Sequence, residues 1–399
     1  MLYLFDYFFS FSGASAHSSL VDIEYLASLA MYVACRAECR SIAFEDETGA
    51  RFEIHPRWLR ERCLGDASID QRTGQRLFNP SDLAPDLAIA EAQETAPGLL
   101  RIAFSDGHVS VFEADALLVE ARRPADDDLT PAPEPWTASL SALPRARWLD
   151  TAEPPALRAM LAQYLRLGFL ILEGVPTEPG SVLAAASRFG FVRDTNFGAI
   201  FDVRSVPEAS DLAYTALSLD PHTDNPYRDP VPGIQLLHCL VNETSGGLST
   251  LVDGLAVAET LRRNAPEAFA LLASTPLRFL YRDRDTELVA CAPQIECDVT
   301  GRIRAVHCSP RLDFTAFRPA AELEQLYRAK TEFDRLCRAP DFEIRFKLDP
   351  GELVMFDNRR LLHGRTGFDP AEGQRHLQGC YIDGDGPRSL YRVLNRGEA

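Results

Sequence analysis

Three residues that lie far apart in the sequence restrict the folds open to this chain, because together they form a set of metal ligands. His222 and Asp224 are separated by one threonine, and His363 follows much later. Side chains two positions apart on a strand point the same way, so His222 and Asp224 would face one ion. His363 must then arrive from a different strand. Two imidazoles and one carboxylate on one face of a metal, with the opposite face open, are typical of non-haem Fe(II) oxygenases.

Arg375 follows the second histidine on a predicted strand and suggests what occupies the open face of the metal. A guanidinium binds a carboxylate through two parallel hydrogen bonds, which suits the distal end of 2-oxoglutarate. Ser249 would add a hydroxyl to the same carboxylate. Zinc is the main competing metal, but a zinc hydrolase would need a general base and no dicarboxylate anchor. We therefore predict an enzyme that uses Fe(II), 2-oxoglutarate and oxygen, and we expect ascorbate to stimulate it.

The composition is that of two globular domains joined by a linker. Residues 123–136 combine four prolines with three consecutive aspartates, a composition that cannot pack a core. Before them, short strand-like runs separated by turns predict a small β-rich domain over 41–122. After them, residues 137–399 contain many short strands and a few helices, which favours a jelly-roll, or double-stranded β-helix. The predicted helices there are 154–167, 182–189, 255–273 and 320–338, and the principal predicted strands are 168–173, 234–241, 249–252, 277–281, 302–306, 342–347, 352–356 and 376–382.

Two other histidines, His238 and His376, also lie on predicted strands. Alternation along those strands should turn both side chains away from the metal site. A single histidine is more often a structural residue than a ligand. We therefore assign both structural roles.

Composition excludes some classes of partner. Of the 399 residues, 46% are hydrophobic and 25% charged, as in ordinary soluble globular proteins. The net charge of −17 argues against a nucleic-acid partner, and no stretch reaches the roughly 18 continuous apolar residues of a membrane span. The nine cysteines are odd in number and scattered, which favours reduced thiols in a cytoplasmic enzyme.

Residues 1–40 form an atypical extension: they resemble a secretion signal but lack its basic region, and Asp6 interrupts their apolar run.

Several stretches of the sequence carry a family resemblance. They are residues 196–198, 201–204, 212–215, 222–227, 233–239, 246–254, 356–365 and 375–381. These stretches are similar to the γ-butyrobetaine dioxygenase group within the taurine dioxygenase-like superfamily, and the match runs from about residue 42 to 397. The resemblance implies Fe(II), 2-oxoglutarate and oxygen as the chemistry, and a homodimer.

Substrates of that family carry a trimethylammonium group, which is held in an aromatic cage. A quaternary ammonium cannot donate a hydrogen bond, so ring faces are its natural partners, at roughly 0.5–2 kcal/mol each. By motif position, the resemblance implies a cage of Phe197, Phe201, Tyr214 and Tyr381. Alternation separately places Tyr381 on the same strand face as Arg375. The alternative is that these aromatic residues belong to the core.

The chain departs from the family where the anionic end of the substrate should bind. Relatives that act on γ-butyrobetaine tend to have asparagines near the carboxylate, whereas this chain has Asp211 and the stretch 307–311. Asp211 would repel a carboxylate if it pointed inward. Arg311 would attract a carboxylate or a phosphonate, and Ser309 lies beside it in the sequence. We assign the anion end to these three residues.

A second departure lies in the small domain. The family usually binds zinc there through a C-x-C-x-x-C run and a later histidine. Here the run begins with Cys63 but ends with Ser68, which leaves Cys63 and His108. One thiolate and one imidazole cannot hold structural zinc, so we predict no zinc site.

Taken together, the residues and the resemblance predict hydroxylation of an aliphatic C–H in a small trimethylammonium zwitterion. γ-Butyrobetaine, giving L-carnitine, is the first candidate, 2-trimethylaminoethylphosphonate the second and trimethyllysine the third. Two alternatives stay open: a binding protein with this fold that performs no turnover, and an enzyme that acts on taurine or another anion without a quaternary amine. We expect no nucleic-acid or membrane partner.

Overall fold

The computed structural model describes residues 41–45, 49–123, 129–204 and 215–396. The chain forms two compact units that divide between Asp128 and Leu129. The predicted extension 1–40 and two predicted site residues, Asp211 and Tyr214, lie outside the described residues. None of the described helices is both long enough and apolar enough to cross a membrane.

The small unit is rich in β-structure, as predicted. Its elements are β1 (Ile42–Glu45), β2 (Arg51–Ile54), α1 (Pro56–Arg60), a 3-10 helix (Pro80–Asp82), β3 (Ile89–Ala96), β4 (Leu99–Phe104), β5 (Val109–Glu113) and α2 (Ala114–Arg122). Strands β1 and β2 form an antiparallel pair, and β3, β4 and β5 form an antiparallel sheet in chain order. Alternation along β4 buries Leu100, Ile102 and Phe104 on one face, where they pack into the core of this unit.

A buried arginine lies among the residues at the family's zinc position. Arg60 donates from Nη1 to Ser68 Oγ at 3.1 Å and from Nε to the Asp106 carboxylate at 3.3 Å. His108 Nε2 lies 3.4 Å from the same Ser68 hydroxyl. Burial raises the pKa of the Cys63 thiol, although hydrogen bonds from Ser110 and Arg60 oppose the shift. A guanidinium thus supplies the positive charge in this cluster.

The second unit contains the remaining elements. They are β6 (Arg145–Arg147), a 3-10 helix (Trp148–Ala152), α3 (Pro154–Leu167), β7 (Phe169–Glu173), α4 (Ser181–Phe189), β8 (Val192–Arg193), β9 (Phe201–Arg204), β10 (Leu219–His222), β11 (Ile234–Asn242), β12 (Ser249–Asp253), α5 (Gly254–Asn264), α6 (Pro266–Ser274), β13 (Pro276–Arg282), β14 (Glu287–Pro293), β15 (Ile295–Cys297), β16 (Ile303–Val306), β17 (Asp313–Phe314), α7 (Ala320–Cys337), β18 (Glu343–Phe346), β19 (Leu353–Asp357), β20 (Leu361–Arg365), a 3-10 helix (Pro370–Glu372), β21 (Arg375–Ile382) and α8 (Gly386–Arg396).

Two sheets of this unit form the predicted double-stranded β-helix. The larger sheet has the order β6-β7-β19-β11-β21-β8, with β9 also paired to β21, and the smaller has the order β10-β20-β12-β18. Side chains from both sheets pack into one core, for example Phe169 and Phe356 from the larger and Leu251 and Phe346 from the smaller. Helices α3 and α4 cover the outer face of the larger sheet. Helices α5, α6 and α7 build a separate core with the inserted strands β13 and β15.

Alternation along β21 determines which side chains reach the interior of the β-helix. Cys380 and Ile382 pack outward into the helix-covered core, whereas Arg375, Leu377 and Tyr381 line an internal cavity. The two histidines to which we assigned structural roles lie on the outward faces. His238 is buried on β11, and the His376 imidazole is 2.7 Å from the Asp202 carboxylate.

The division between the two units falls inside the predicted linker 123–136, and one predicted helix is wrong. The second unit begins inside the predicted linker 123–136, because Trp136 is part of its core. The Trp136 indole donates to the Leu167 carbonyl at 2.7 Å, and its backbone amide donates to Asp253. The predicted helix 255–273 is two helices, α5 and α6, because Pro266 lacks an amide hydrogen and pushes Ala265 out of the helical region, to φ −143°.

Candidate active site

The three predicted metal ligands meet in the structure. His222 ends β10 and is paired with His363 on the neighbouring strand β20, which puts their ring centroids 4.3 Å apart. Asp224 Oδ1 lies 3.4 Å from His222 Nε2, and its Oδ2 lies 3.7 Å from His363 Nε2. One ligand atom from each residue lies within 4.8 Å of the others, a spacing that one ion can bridge.

The chain around the first two ligands is fixed by hydrogen bonds from other strands. The His222 Nδ1–H donates to the Asp220 carbonyl at 2.8 Å, which leaves Nε2 with its lone pair free. Thr223, between the ligands, exchanges backbone and hydroxyl hydrogen bonds with Cys308. The fully buried Asn358 accepts from the Asp224 amide at 2.7 Å and donates to the Asp224 carbonyl at 2.9 Å.

The ionisation of these groups also suits a metal ion. Burial alone would raise the pKa of Asp224, but His363, His222 and a hydrogen bond from Tyr381 outweigh it and hold that pKa well below its usual range. Burial, together with the neighbouring His222, lowers the pKa of His363 to about 3. An ionised carboxylate and a neutral imidazole are the forms that bind a divalent cation.

The residues present fit Fe(II). Two imidazole nitrogens and one carboxylate oxygen converge, and the Nε2 atoms of both histidines face the same carboxylate. Tyr381 donates from its hydroxyl to Asp224 Oδ2 at 2.8 Å and so constrains the carboxylate from a third strand. Such support of a ligand by a second residue is common in metal sites.

The predicted anchor for a dicarboxylate lines the same cavity as the triad. Arg375 begins β21, and its Nη2 donates to the Gly247 carbonyl at 3.1 Å. Burial lowers its pKa to about 10, which still leaves the guanidinium charged at neutral pH. Ser249 begins β12 and also lines this cavity. Gly247 has φ +65°, and a Cβ there would lie 2.7 Å from Arg375 Nε, so only glycine leaves room for the guanidinium.

A second guanidinium in this region was not anticipated from the sequence. Arg365 ends β20, lines the cavity and donates to the carbonyls of Thr215 and Leu217. Burial and the proximity of Arg375 lower its pKa to about 10. Both cations face the ring of Phe368, at 5.1 Å for Arg365 and 5.5 Å for Arg375. Arg365 lies directly after the predicted ligand His363 and Gly364, which is the signal that could have drawn attention to it.

The cavity has a volume of about 410 Å³ and is rich in aromatic side chains. Of the predicted cage, Phe197, Phe201 and Tyr381 all line it, and the rings of Phe201 and Tyr381 lie 5.2 Å apart. Two tyrosines not predicted for the cage complete the wall. Tyr281 contacts Phe197 edge-on at 5.7 Å and stacks on Tyr227 at 4.9 Å.

The predicted anion-binding residues that the structure describes also reach this cavity. Ser309 and Arg311 are both among its lining residues. Two buried amides, Asn225 and Gln235, line it as well, and neither was anticipated. Asn225 and Tyr227 lie inside the metal-ligand motif, so position alone could have identified them. Tyr281 carries no local signal, because only the long-range packing of β13 brings it here.

Comparison with known proteins agrees with this geometry. The family described as "Taurine catabolism dioxygenase TauD, TfdA family" matches residues 127–381, and "Gamma-butyrobetaine hydroxylase-like, N-terminal" matches residues 34–118. A gamma-butyrobetaine dioxygenase from Pseudomonas sp. (strain AK-1) is 37% identical over 347 residues, which cover 86% of this chain and 91% of that protein.

More distant relatives include enzymes named for different substrates. A gamma-butyrobetaine dioxygenase from Pongo abelii is 31% identical over 85% of this chain and 90% of its own length. A trimethyllysine dioxygenase from Meyerozyma guilliermondii is 28% identical over 90% of this chain and 94% of its own length. With the family match covering most of the second unit, the chain belongs to the TauD/TfdA family of dioxygenases.

Proposed function

We propose that this protein is an Fe(II)- and 2-oxoglutarate-dependent dioxygenase that hydroxylates an aliphatic C–H of a small trimethylammonium zwitterion. The leading substrate is γ-butyrobetaine, and the product is L-carnitine. One observation carries the proposal: a single cavity holds the metal-ligand triad, a buried arginine and a wall of aromatic rings. The relatives named gamma-butyrobetaine dioxygenase support the same substrate class.

The triad His222, Asp224 and His363 would hold Fe(II). When bound with 2-oxoglutarate and oxygen, the metal supplies an oxidation in which one oxygen atom enters the substrate and the other enters succinate, with release of CO2. Arg375 would grip the distal carboxylate of 2-oxoglutarate, and the Ser249 hydroxyl would donate to it. The proximity of Arg365 adds positive charge on the same side of the cavity.

The aromatic wall would hold the trimethylammonium group. Phe197, Phe201 and Tyr381 present rings to the cavity, and Tyr227 and Tyr281 extend this aromatic lining. Each ring face that meets the cation is worth roughly 0.5–2 kcal/mol. Holding the cation against this wall would direct one aliphatic carbon of the substrate toward the metal. The orientation of the substrate would therefore select the carbon that is hydroxylated. The predicted cage member Tyr214 remains part of the proposal.

The anionic end of the substrate would bind near Arg311 and Ser309, with Asp211 as a third proposed neighbour. A guanidinium suits a carboxylate, but it suits the doubly charged phosphonate at least as well. Arg311 in the cavity wall therefore favours 2-trimethylaminoethylphosphonate as the second candidate substrate. Trimethyllysine, the substrate named for one relative, is the third.

Several properties of the protein belong to the same proposal. We propose that it works in the cytoplasm as a homodimer, is stimulated by ascorbate, and acts on small molecules without a nucleic-acid or membrane partner. We also propose that its small unit works without structural zinc. The Arg60 guanidinium, bonded to Ser68 and Asp106, supports this by providing a cation at that place.

Succinate formation by the purified protein tests the proposal. The protein would be supplied with Fe(II), ascorbate and 2-oxoglutarate, in parallel with γ-butyrobetaine, 2-trimethylaminoethylphosphonate, trimethyllysine and taurine. We expect γ-butyrobetaine to stimulate succinate formation most, and the Asp224→Ala variant to form none. Stimulation by taurine alone would overturn the cage, and full activity of Asp224→Ala would overturn the metal site.

A further inference from the structure

Strand β14 has a free edge that is rich in apolar residues. It pairs with β13 on one side only, at the end of the three-stranded sheet β14-β13-β17. The five residues between Glu287 and Pro293 carry no charge, and two of them, Val289 at 52% and Cys291, are exposed. Proteins usually protect such an edge with charged residues or cover it, because its unpaired amides and carbonyls can pair with another strand.

An open cleft of about 520 Å³ runs along this edge. The five consecutive residues 289–293 all line it, although neighbouring side chains of a strand point to opposite faces. A cleft that meets all five must therefore follow the edge of the strand. In residues 288–292, the amides and carbonyls that point away from β13 make no hydrogen bond within the described parts of the chain. These backbone groups are available to an added strand.

The strand is complementary to itself when two copies run antiparallel. One register pairs its full length, with Glu287 opposite the partner's Pro293 and Ala290 opposite the partner's Ala290. In this register Val289 lies opposite the partner's Cys291, and no charged residue of the strand lies opposite a like charge. Like charges directly opposite would destabilise such a pair, whereas apolar cross-strand pairs stabilise it.

The charges beyond the ends of the strand also match. The turn before β14 contains Asp283, Arg284 and Asp285, all of which are exposed. The same register places this turn near the far end of the partner's strand, where Glu296 and Arg359 form an ion pair at 3.5 Å and line the cleft. Arg284 would meet a carboxylate there, and Asp285 a guanidinium. A twofold axis would repeat this match at the other end of the pair.

We propose that β14 pairs with β14 of a second copy across a twofold axis, and that this edge is the homodimer interface. The two three-stranded sheets would then form one sheet of six strands. This inference rests on the proposed function, because it names the surface of the homodimer proposed there. It also bears on the active site: β13 carries Tyr281 into the cavity wall, so the partner's strand would support the sheet that holds this ring.

A disulfide tests the register. Side chains directly opposite in an antiparallel pair have Cβ atoms about 4.5–5.5 Å apart, which a small adjustment brings within disulfide range. Val289→Cys would add a thiol opposite the partner's Cys291, so mild oxidation of the full chain should give a covalent dimer. Mass spectrometry should find the bridge between positions 289 and 291. Val299→Cys, at a fully exposed position outside β14, is the matched control and should not form this dimer.

Added charge tests whether this edge holds the dimer together. The double variant Val289→Asp, Cys291→Asp would place carboxylates opposite carboxylates, and both positions are exposed in the single chain. Like charges set against each other are strongly unfavourable, so the dimer dissociation constant in analytical ultracentrifugation should rise about a hundredfold or more. Val299→Asp should leave it unchanged. Melting temperature would confirm that each variant is folded, and succinate formation with γ-butyrobetaine would be measured in the same samples.

The contrary results are distinct. A wild-type protein that couples γ-butyrobetaine to succinate formation but sediments as a monomer would overturn this inference and leave the proposed reaction standing. A dimer that the double variant does not weaken would assign the interface to another surface. Bridging of the wild type through Cys291 alone would contradict the register. A dimer trapped at position 289 that turns over no trimethylammonium compound would overturn the proposed substrate class and support the interface.

Discussion

The hydroxyl of Tyr381 donates a 2.8 Å hydrogen bond to Oδ2 of Asp224, so one tyrosine belongs both to the aromatic wall and to the metal site. Its ring lies 5.2 Å from Phe201, and its phenol, whose pKa is raised well above its usual value by burial and by Asp224, stays protonated as a donor. This hydrogen bond fixes the Oδ2 atom of the Asp224 carboxylate. Tyr381 therefore connects the aromatic wall to the carboxylate of the triad.

Substituting Tyr381 by phenylalanine should separate the two roles. The ring remains, so we expect the KM of the trimethylammonium substrate to change little. Loss of the hydrogen bond to Asp224 should weaken metal affinity by about tenfold, as for other residues that support a metal ligand. Titration of Mn(II) into Tyr381→Phe and wild type would measure this, with Tyr381→Leu as the variant that should lose both functions. An unchanged metal affinity in Tyr381→Phe would contradict the assignment.

The ring of Phe368 should matter for 2-oxoglutarate, although it has no polar group. It faces the guanidinium groups of both Arg365 and Arg375, and each such contact is worth about 0.5–2 kcal/mol. We expect Phe368→Leu to raise the dissociation constant of 2-oxoglutarate by about five- to tenfold, since the anchor loses its support. Phe317→Leu is the matched control, because that ring is 95% exposed. Equal 2-oxoglutarate affinity in the two variants would show that Phe368 is not needed to position Arg375.

Gly379 should control the shape of the aromatic wall. A Cβ at this position would lie 2.4 Å from the Phe201 ring, so the ring must move in Gly379→Ala. We expect a higher KM for the trimethylammonium substrate and an unchanged KM for 2-oxoglutarate. Gly65→Ala, where an added Cβ meets nothing within 4 Å, serves as the control in the same steady-state assay. If Gly379→Ala impaired both substrates alike, the displaced ring would not be acting through the cage.

The small unit should depend on Arg60 and not on zinc. Its guanidinium bonds Ser68 and Asp106, and hydrogen bonds with a charged group contribute about 1.5–3 kcal/mol. Arg60→Gln should therefore lower the free energy of unfolding by about that amount, while Arg72→Gln, on an exposed loop, should not. Denaturant titrations with and without a chelator would measure both effects. Destabilisation by the chelator of the Asp224→Ala protein, whose catalytic metal site is disabled, would show that a metal does bind in the small unit.

Residues that follow strand alternation were predictable from the sequence alone. Arg375 and Tyr381 share the inward face of β21 because side chains on a strand repeat with period two. The metal triad needed only one further assumption, that His363 lies on a strand next to His222. The register of β10 against β20 provides this.

Residues that depend on contacts between distant segments were not predictable. Tyr281 reaches the cavity because β13 packs beside it, and nothing near residue 281 in the sequence indicates that packing. Nothing near Asn358 in the sequence indicates that its carboxamide binds both the amide and the carbonyl of Asp224. By contrast, the break between α5 and α6 at Pro266 depends on local chemistry. It was predictable in principle, because proline has no amide hydrogen to continue a helix.

The most direct test of the central claim is the stoichiometry of turnover with γ-butyrobetaine. Succinate and hydroxylated product would be quantified together by mass spectrometry under labelled oxygen, with Asp224→Ala as the inactive control. The account predicts one L-carnitine for each succinate, each carrying one labelled oxygen atom. Succinate formed without hydroxylated trimethylammonium product, at the same rate with and without γ-butyrobetaine, would contradict it.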